Sequence, residues 1–361
     1  MTVKPGINRF MPGSCMGDAL QWVSKRIQVP DSAEEINELF YQRGWTDGLP
    51  IVPPTEERVA RMLSGTTRKP QDVVGEVPPA RGEATVEKVA INAVMAGCIP
   101  SYMPLIISAL EAMLEKRFNL YGIQATTHPV APLIIINGPI RKKLSINSGY
   151  NAFGQGTMAN ATIGRAIRLI LTNVGGGIPG ELDRSTQGQP SKFSFCIAEN
   201  EERNPWTPLH VERGFDPAAS TVTVLGAENP HNINDHCSID GAGILTTIAG
   251  TMRTQGNNNI VSQSGEVLII LGPEHASTMA KSGFSKEDIK RFVFESARIP
   301  KSHFSLKQQE YRFPSFKSDD LIPIVPKADS VMVIVAGGAG KHSSFCPTFG
   351  YTQSVTKEIE T

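Results

Sequence analysis

Between residues 86 and 114 apolar side chains recur every three to four positions, whereas beyond residue 130 they come in short unbroken runs that end at glycine. The first spacing is that of helices with one buried face, and the second is that of strands buried on both faces. ATVEKVAINAVMAGC and MPLIISALEAMLEKRF therefore predict two helices, separated at Pro100 and packed as a hairpin. Upstream, Ser32 with Glu35 three residues on predicts a capped helix that stops at Gly44. Thr55, followed by Glu56 and Glu57, predicts a second. Residues 66–83 are Pro-rich and are expected to be irregular.

LIIINGPI (133–140) and LIILGPEH (268–275) share a hydrophobic run closed by Gly-Pro, at Gly138-Pro139 and Gly272-Pro273. VTVLGAENPHN and VMVIVAGGAGKHS have the same outline, and Phe193 to Ile197 reads as another strand. SGYNAFGQGTMANATIGRAIRLILTNVGG and NPHNINDHCSIDGAGILTTIAGTMRTQGNN both pass from an Asn- and Gly-rich loop into a helix of about four turns. The pattern predicts an α/β fold: an arm over residues 1–30, a mainly helical region over 31–125, and an α/β core of strand-loop-helix units over 126–361 that carries the site. The echo fits a duplicated unit, and it also fits unrelated segments of one kind. Ser285 caps a further helix, and residues 306–329 form a Pro-punctuated excursion before the last strand.

Charge narrows the partners. The 361 residues carry 35 Lys plus Arg against 35 Asp plus Glu, so no net field draws nucleic acid or an anionic membrane. No apolar run approaches the ~18 to 20 residues of a membrane span. The first residues lack the apolar stretch of a secretory signal, which makes the cytoplasm the expected location. Five cysteines, Cys15, Cys98, Cys196, Cys237 and Cys346, are scattered without a CxxC and read as reduced thiols. Leu105 to Leu114 is apolar enough for homo-oligomer formation, without a heptad register.

The candidate chemistry lies where polar loops leave buried strands, above all between His128 and Arg213. In LHVERG, read as extended, His210 and Glu212 leave one face. With His231 or His236 they form a ligand set for a divalent metal ion; an ion pair of Glu212 with an arginine is the plain alternative. Cys196 alternates onto the face of Ser194 and Ala198, and Cys346 follows Lys341 and His342. Either thiol would act as thiolate with His210 or His342 as base; most isolated cysteines are inert small hydrophobes. The loop before Arg165 and the segment VIVAGGAGKHSS are anion nests without the spacing of a P-loop or a dinucleotide fingerprint. His128, Asn147, Asn151, Arg165, Glu199 and Lys341 are the expected substrate contacts, with His128, Asn151 and Arg165 converging on the main pocket.

ELFYQRGWTDGLPIVPPTEERVARML, VEKVAINAVMAGCIPSYMPLIISALEAM and the run from ATTHPVAPLIIINGPI to WTPLHVERGFDP resemble the large proteins that accompany, or are fused to, the small UGSC-motif (seleno)protein module. The resemblance implies a small thiol or selenol protein as partner. It supplies no catalytic residues, and the Gly13-Ser14-Cys15 of this chain lies outside any strand-turn-helix setting. Three classes of function follow from the residues: thiol-linked redox or lyase chemistry on a small carboxylate-bearing molecule, metal-assisted hydrolysis or hydration, and a non-catalytic subunit that docks a redox partner.

Overall fold

The computed structural model describes residues 2–4 and 22–360, so most of the expected arm, Cys15 included, lies outside it. Eight strands form its two main sheets: β1 (Ala131–Asn137), β2 (Cys196–Ala198), β3 (Thr221–Ala227), β4 (His231–Asn234), β5 (Val267–Leu271), β6 (Val331–Val335), β7 (His342–Cys346) and β8 (Val355–Glu358). The first sheet runs β8-β3-β1-β2 and the second β6-β5-β7-β4. In each, two parallel strands (β1 with β2, β5 with β6) are flanked by antiparallel neighbours.

Strand alternation turns these sheets into four layers. Leu133 and Ile135 of β1, Phe195 and Ile197, and Leu225 of β3 meet Leu268, Ile270, Met332, Ile334 and Cys346 of the second sheet in one buried cluster. The alternate residues Ile134, Ile136, Cys196, Val222 and Val224 face helices 86–96, 103–114 and 158–173. Ile269, Val333 and Phe345 face helices 241–252, 273–281 and 286–296. Sheet faces sheet, and helices cover both outer faces, an α/β architecture as the hydrophobic pattern predicts.

Several local signals act as read. Ser32 Oγ accepts the Glu35 amide at 3.3 Å, Thr55 Oγ1 accepts the Arg58 amide at 3.3 Å, and Ser285 with Asp288 closes a capping box. Gly44 adopts φ +67° just past the first helix. Helices 86–96 and 103–114 pack on one another, the first also on helix 158–173 and the second on β3 and β8. No helix among the described residues is long and apolar enough to cross a membrane.

Three expectations need correction. Residues 66–83 are not irregular: Val73–Val77 pairs antiparallel with Gly82–Thr85. Phe193 stands outside its strand, in a turn that follows Pro190–Lys192. Leu209–Glu212 is a single helical turn rather than an extended segment, entered from Pro208 at φ −60°, and no neighbouring strand offers it a ladder.

The core is built twice. β1 ends at Gly138-Pro139, passes through helices, returns as parallel β2 and antiparallel β3, and then sends β4 into the other sheet. β5 ends at Gly272-Pro273, passes through helices, returns as parallel β6 and antiparallel β7, and sends β8 back into the first sheet. The two crossing connections touch where Ala227 bridges Thr348 and the Glu228 amide donates to the Pro347 carbonyl at 2.8 Å. The Gly-Pro repeat marks this duplication correctly. The Asn/Gly echo does not, because helix 158–173 follows β1 in its unit whereas helix 241–252 precedes β5 in its own.

Candidate functional site

The C-terminal ends of the parallel strands from both sheets come out on one edge. There the Asn200 amide donates to the Val335 carbonyl at 2.7 Å, and Asn200 Nδ2 donates to the Gly337 carbonyl at 3.3 Å. Strand termini opening side by side leave a crevice, the usual place for a ligand in an α/β sheet. The cleft here measures about 740 Å³ and is lined by Tyr150, Glu202, Arg203, Asn204, Glu274, Lys281, Lys341 and the Gly337–Ala339 loop. The exposed Tyr150 ring packs directly over Gly338, where a Cβ would stand 2.0 Å from it, so a side chain at 338 would displace the ring.

Beneath the cleft the polar groups are tightly committed. Arg141, 6% exposed, donates to the Glu199 carbonyl (2.9 Å), to Glu201 (2.7 Å) and to both oxygens of Glu202 (3.1 Å each). Hydrogen bonds from Arg141, with Lys142 assisting, hold the Glu202 carboxyl down at about 2. Glu199 is fully buried, and burial pushes its carboxyl up despite Lys286 nearby and donors at Asn137 Nδ2 (2.6 Å), Asn204 Nδ2 (2.7 Å) and the Leu209 amide (2.9 Å). Asn137 Oδ1, Thr221 Oγ1 and His210 Nδ1 are buried without a hydrogen-bond partner, the first two on residues paired across β1 and β3.

Of the two carboxylates lining the cleft one is ion-paired, whereas among the described residues none of the three lining cations has an acid partner. Glu202 is shared by Arg141 and Lys142, and Glu274 Oε1 accepts the Gly340 amide at 2.8 Å. Among the described residues neither Arg203 nor Lys281 has an acid within 4.0 Å, and Lys341 Nζ donates only to the His236 carbonyl, at 3.1 Å. Three cations without an acid partner against the one unpaired carboxylate of Glu274 leave the cleft with a net positive charge.

Of the expected substrate contacts, three serve this edge. Lys341 lines the cleft, Glu199 lies under it, and Asn147 positions the Tyr150 loop by donating to the Tyr150 carbonyl (2.9 Å) and accepting the Gly149 amide (2.8 Å). The other three do not converge. His128 pairs with Glu228 at 2.8 Å, and Asn151 at φ +59° donates to the Gln155 carbonyl at 2.7 Å. Arg165 makes a two-pronged pair with buried Asp47 at 2.7 and 2.8 Å, tying helix 158–173 to the Leu49–Pro50 segment.

The expected metal set is not assembled. On a helical turn His210 and Glu212 diverge by about 200°, and among the described residues no group of three His, Cys, Asp or Glu side chains is placed to hold an ion. Burial would raise the Glu212 carboxyl, but Lys286 at 3.0 Å and Lys290 hold it low, which is the ion-pair alternative with lysines in place of arginine. His210 is 1% exposed with Nδ1 3.9 Å from Glu201, His231 is exposed at the start of β4, and His236 meets His342 instead.

The thiol pairs are not assembled either. Cys346 lies in the core between the sheets, about 13 Å along β7 from His342. Cys196 faces the helices beside Ile134, although it borders a second cleft of about 600 Å³ with Phe153, Ser191 and Asn229. Burial pushes both thiols up, and it pushes Cys98 up to about 12. Only Cys237 is exposed among the described cysteines. In the native protein at mildly alkaline pH, maleimide should label Cys237 while Cys98, Cys196 and Cys346 react only after denaturation, as peptide mass spectrometry would read. Fast native labelling of Cys196 or Cys346 would restore the thiol reading.

Tyr150, Glu202, Arg203, Asn204, Glu274 and Lys281 were not singled out by sequence. The first four lie within the His128–Arg213 stretch where the chemistry is expected, and for Glu274 and Lys281 the one signal is the Gly-Pro repeat, which places residues 273–281 at a strand end equivalent to that of residues 139–143. Comparison with protein-family models, with curated proteins and with solved structures finds no match for this chain.

Proposed function

We propose that the chain is an enzyme that binds a small, polar, carboxylate-bearing molecule in the cleft at the C-terminal edge of its two sheets and acts on it by proton transfer, as a lyase would. The observation that carries this reading is the pairing state of the lining charges: Arg203 and Lys281 are uncompensated while Glu202 is claimed by Arg141 and Lys142. A guanidinium with no acid partner offers a two-pronged seat for a carboxylate. Glu202, ionised down to about 2, is a weak base. Glu274, held by the Gly340 amide and by no cation among the described residues, is the base assigned to a C–H beside the ligand's carboxylate. The buried thiols favour this acid-base route over thiol chemistry.

The test is a panel of short hydroxy-, keto- and dicarboxylates, screened by thermal shift and then followed by NMR for exchange of the α-hydrogen with deuterium. Arg203→Ala and Lys281→Ala should each weaken binding about 10- to 100-fold, the worth of one charged hydrogen bond. Glu274→Gln should keep binding and abolish exchange. Binding unchanged in both cation variants would overturn the assignment of the cleft.

A further inference from the structure

At the rim of the same edge, apart from the residues assigned to the carboxylate cleft, two exposed imidazoles face each other: His236 Nε2 and His342 Nε2 are 3.2 Å apart. We propose that this pair is a binding site for a divalent transition-metal ion of the zinc or copper type. Two imidazole nitrogens bound to one ion at about 2.0 to 2.1 Å stand about 2.9 to 3.4 Å apart for angles between square and tetrahedral, and the observed gap lies in that range. His342 Nδ1 is 3.0 Å from Asn232 Oδ1. An amide oxygen only accepts, so Nδ1 carries the proton and the Nε2 lone pair points into the gap, the outer-shell arrangement that orients metal-binding histidines.

Both backbones are fixed before any ion arrives. His342 opens β7 opposite Asn234 of β4. His236 follows Asp235, whose buried carboxylate accepts the Cys237 amide (3.2 Å), the Ser238 amide (2.8 Å) and Thr247 Oγ1 (2.7 Å). Without metal, one N–H···N hydrogen bond spans the gap; with metal, His236 carries its proton on Nδ1 and both Nε2 atoms become ligands. No third His, Cys, Asp or Glu joins them among the described residues, so water completes the shell and the ion is exchangeable rather than structural. The site stands whether or not the cleft binds carboxylates, because the two are measured separately.

The test uses tag-free protein stripped with chelator and titrated calorimetrically with zinc chloride, and with copper(II) chloride under electron paramagnetic resonance. One equivalent should bind, with hyperfine coupling to two nitrogens in the copper spectrum. His236→Gln and His342→Gln should each remove that binding phase and the two-nitrogen signature. Asn232→Leu should weaken affinity about tenfold, while Asn232→Asp, which keeps an acceptor, should retain it. Both imidazoles are exposed, so thermal unfolding of the variants should match the parent and confirm folding. Metal binding that persists unchanged in both histidine variants, or a signature without two nitrogens, overturns the site.

Discussion

Replacing Arg141 by alanine should destabilise the protein by about 3 to 5 kcal/mol, read as a lowered midpoint in denaturant unfolding at neutral pH. The guanidinium is 6% exposed and satisfies Glu201, itself 16% exposed, together with Glu202 and the Glu199 carbonyl. Its removal leaves the mostly buried Glu201 carboxylate with donors at Asn137 Nδ2 (2.9 Å) and the Gly138 amide (2.8 Å) but without its guanidinium, a far larger loss than that of a surface ion pair. Arg141→Ala with Glu201→Gln should recover part of the deficit, since the second change removes the stranded charge. The sign with pH follows from Glu202. Its carboxyl is held near 2 against an ordinary 4.5, so its contribution is present above about 4.5 and is lost as pH falls toward 2. The gap between parent and variant should narrow over that interval; a gap that widened in acid would show that Arg141 does not act through Glu202.

The second large effect concerns the two glycines that close equivalent strands. A Cβ at Gly138 would stand 2.0 Å from the Ala219 carbonyl oxygen, and one at Gly272 2.1 Å from the His342 carbonyl oxygen. In both units the backbone at the start of the antiparallel neighbour, just before β3 and at the first residue of β7, comes too close for a side chain. Alanine at either position should cost about 1 to 3 kcal/mol from forced displacement. Gly138 also adopts φ +82°, whereas Gly272 sits at φ −64°, so Gly138→Ala adds about 1 to 2 kcal/mol for a left-handed residue. The order Gly138→Ala worse than Gly272→Ala, with both well below the parent in thermal unfolding, is the expected outcome. Two neutral substitutions would contradict the shared strand-end geometry.

What could be read from sequence was local. Caps at Ser32, Thr55 and Ser285 depend on neighbours three residues away, and strands such as Val267–Leu271 announce themselves as apolar runs between turn residues. The hairpin of Val73–Val77 with Gly82–Thr85 escaped because most of its strand residues are at least partly exposed and neither strand is a long apolar run. Leu209–Glu212 was misread because alternation in four residues cannot separate one helical turn from a strand. The site depended on pairings that no local pattern encodes. Arg141 is claimed by glutamates about 60 residues on, Arg165 by Asp47, and Glu212 by Lys286 and Lys290. Which cations remain free, Arg203 and Lys281 among them, emerges only once those pairs are made. Burial likewise decides the cysteines: Cys196 and Cys346 sit next to polar residues in sequence and inside apolar cores in space.

The most direct measurement of the central claim is a crystal structure of the protein with the tightest carboxylate from the panel, refined alongside one of Arg203→Ala grown under the same conditions. The account predicts density for the ligand in the 740 Å³ cleft, its carboxylate within hydrogen-bond distance of Arg203 and Lys281 and its α-carbon beside Glu274, and no such density in the variant. A ligand seated in the cleft bordered by Cys196 and Asn229, or bound in the same pose without Arg203, would contradict it.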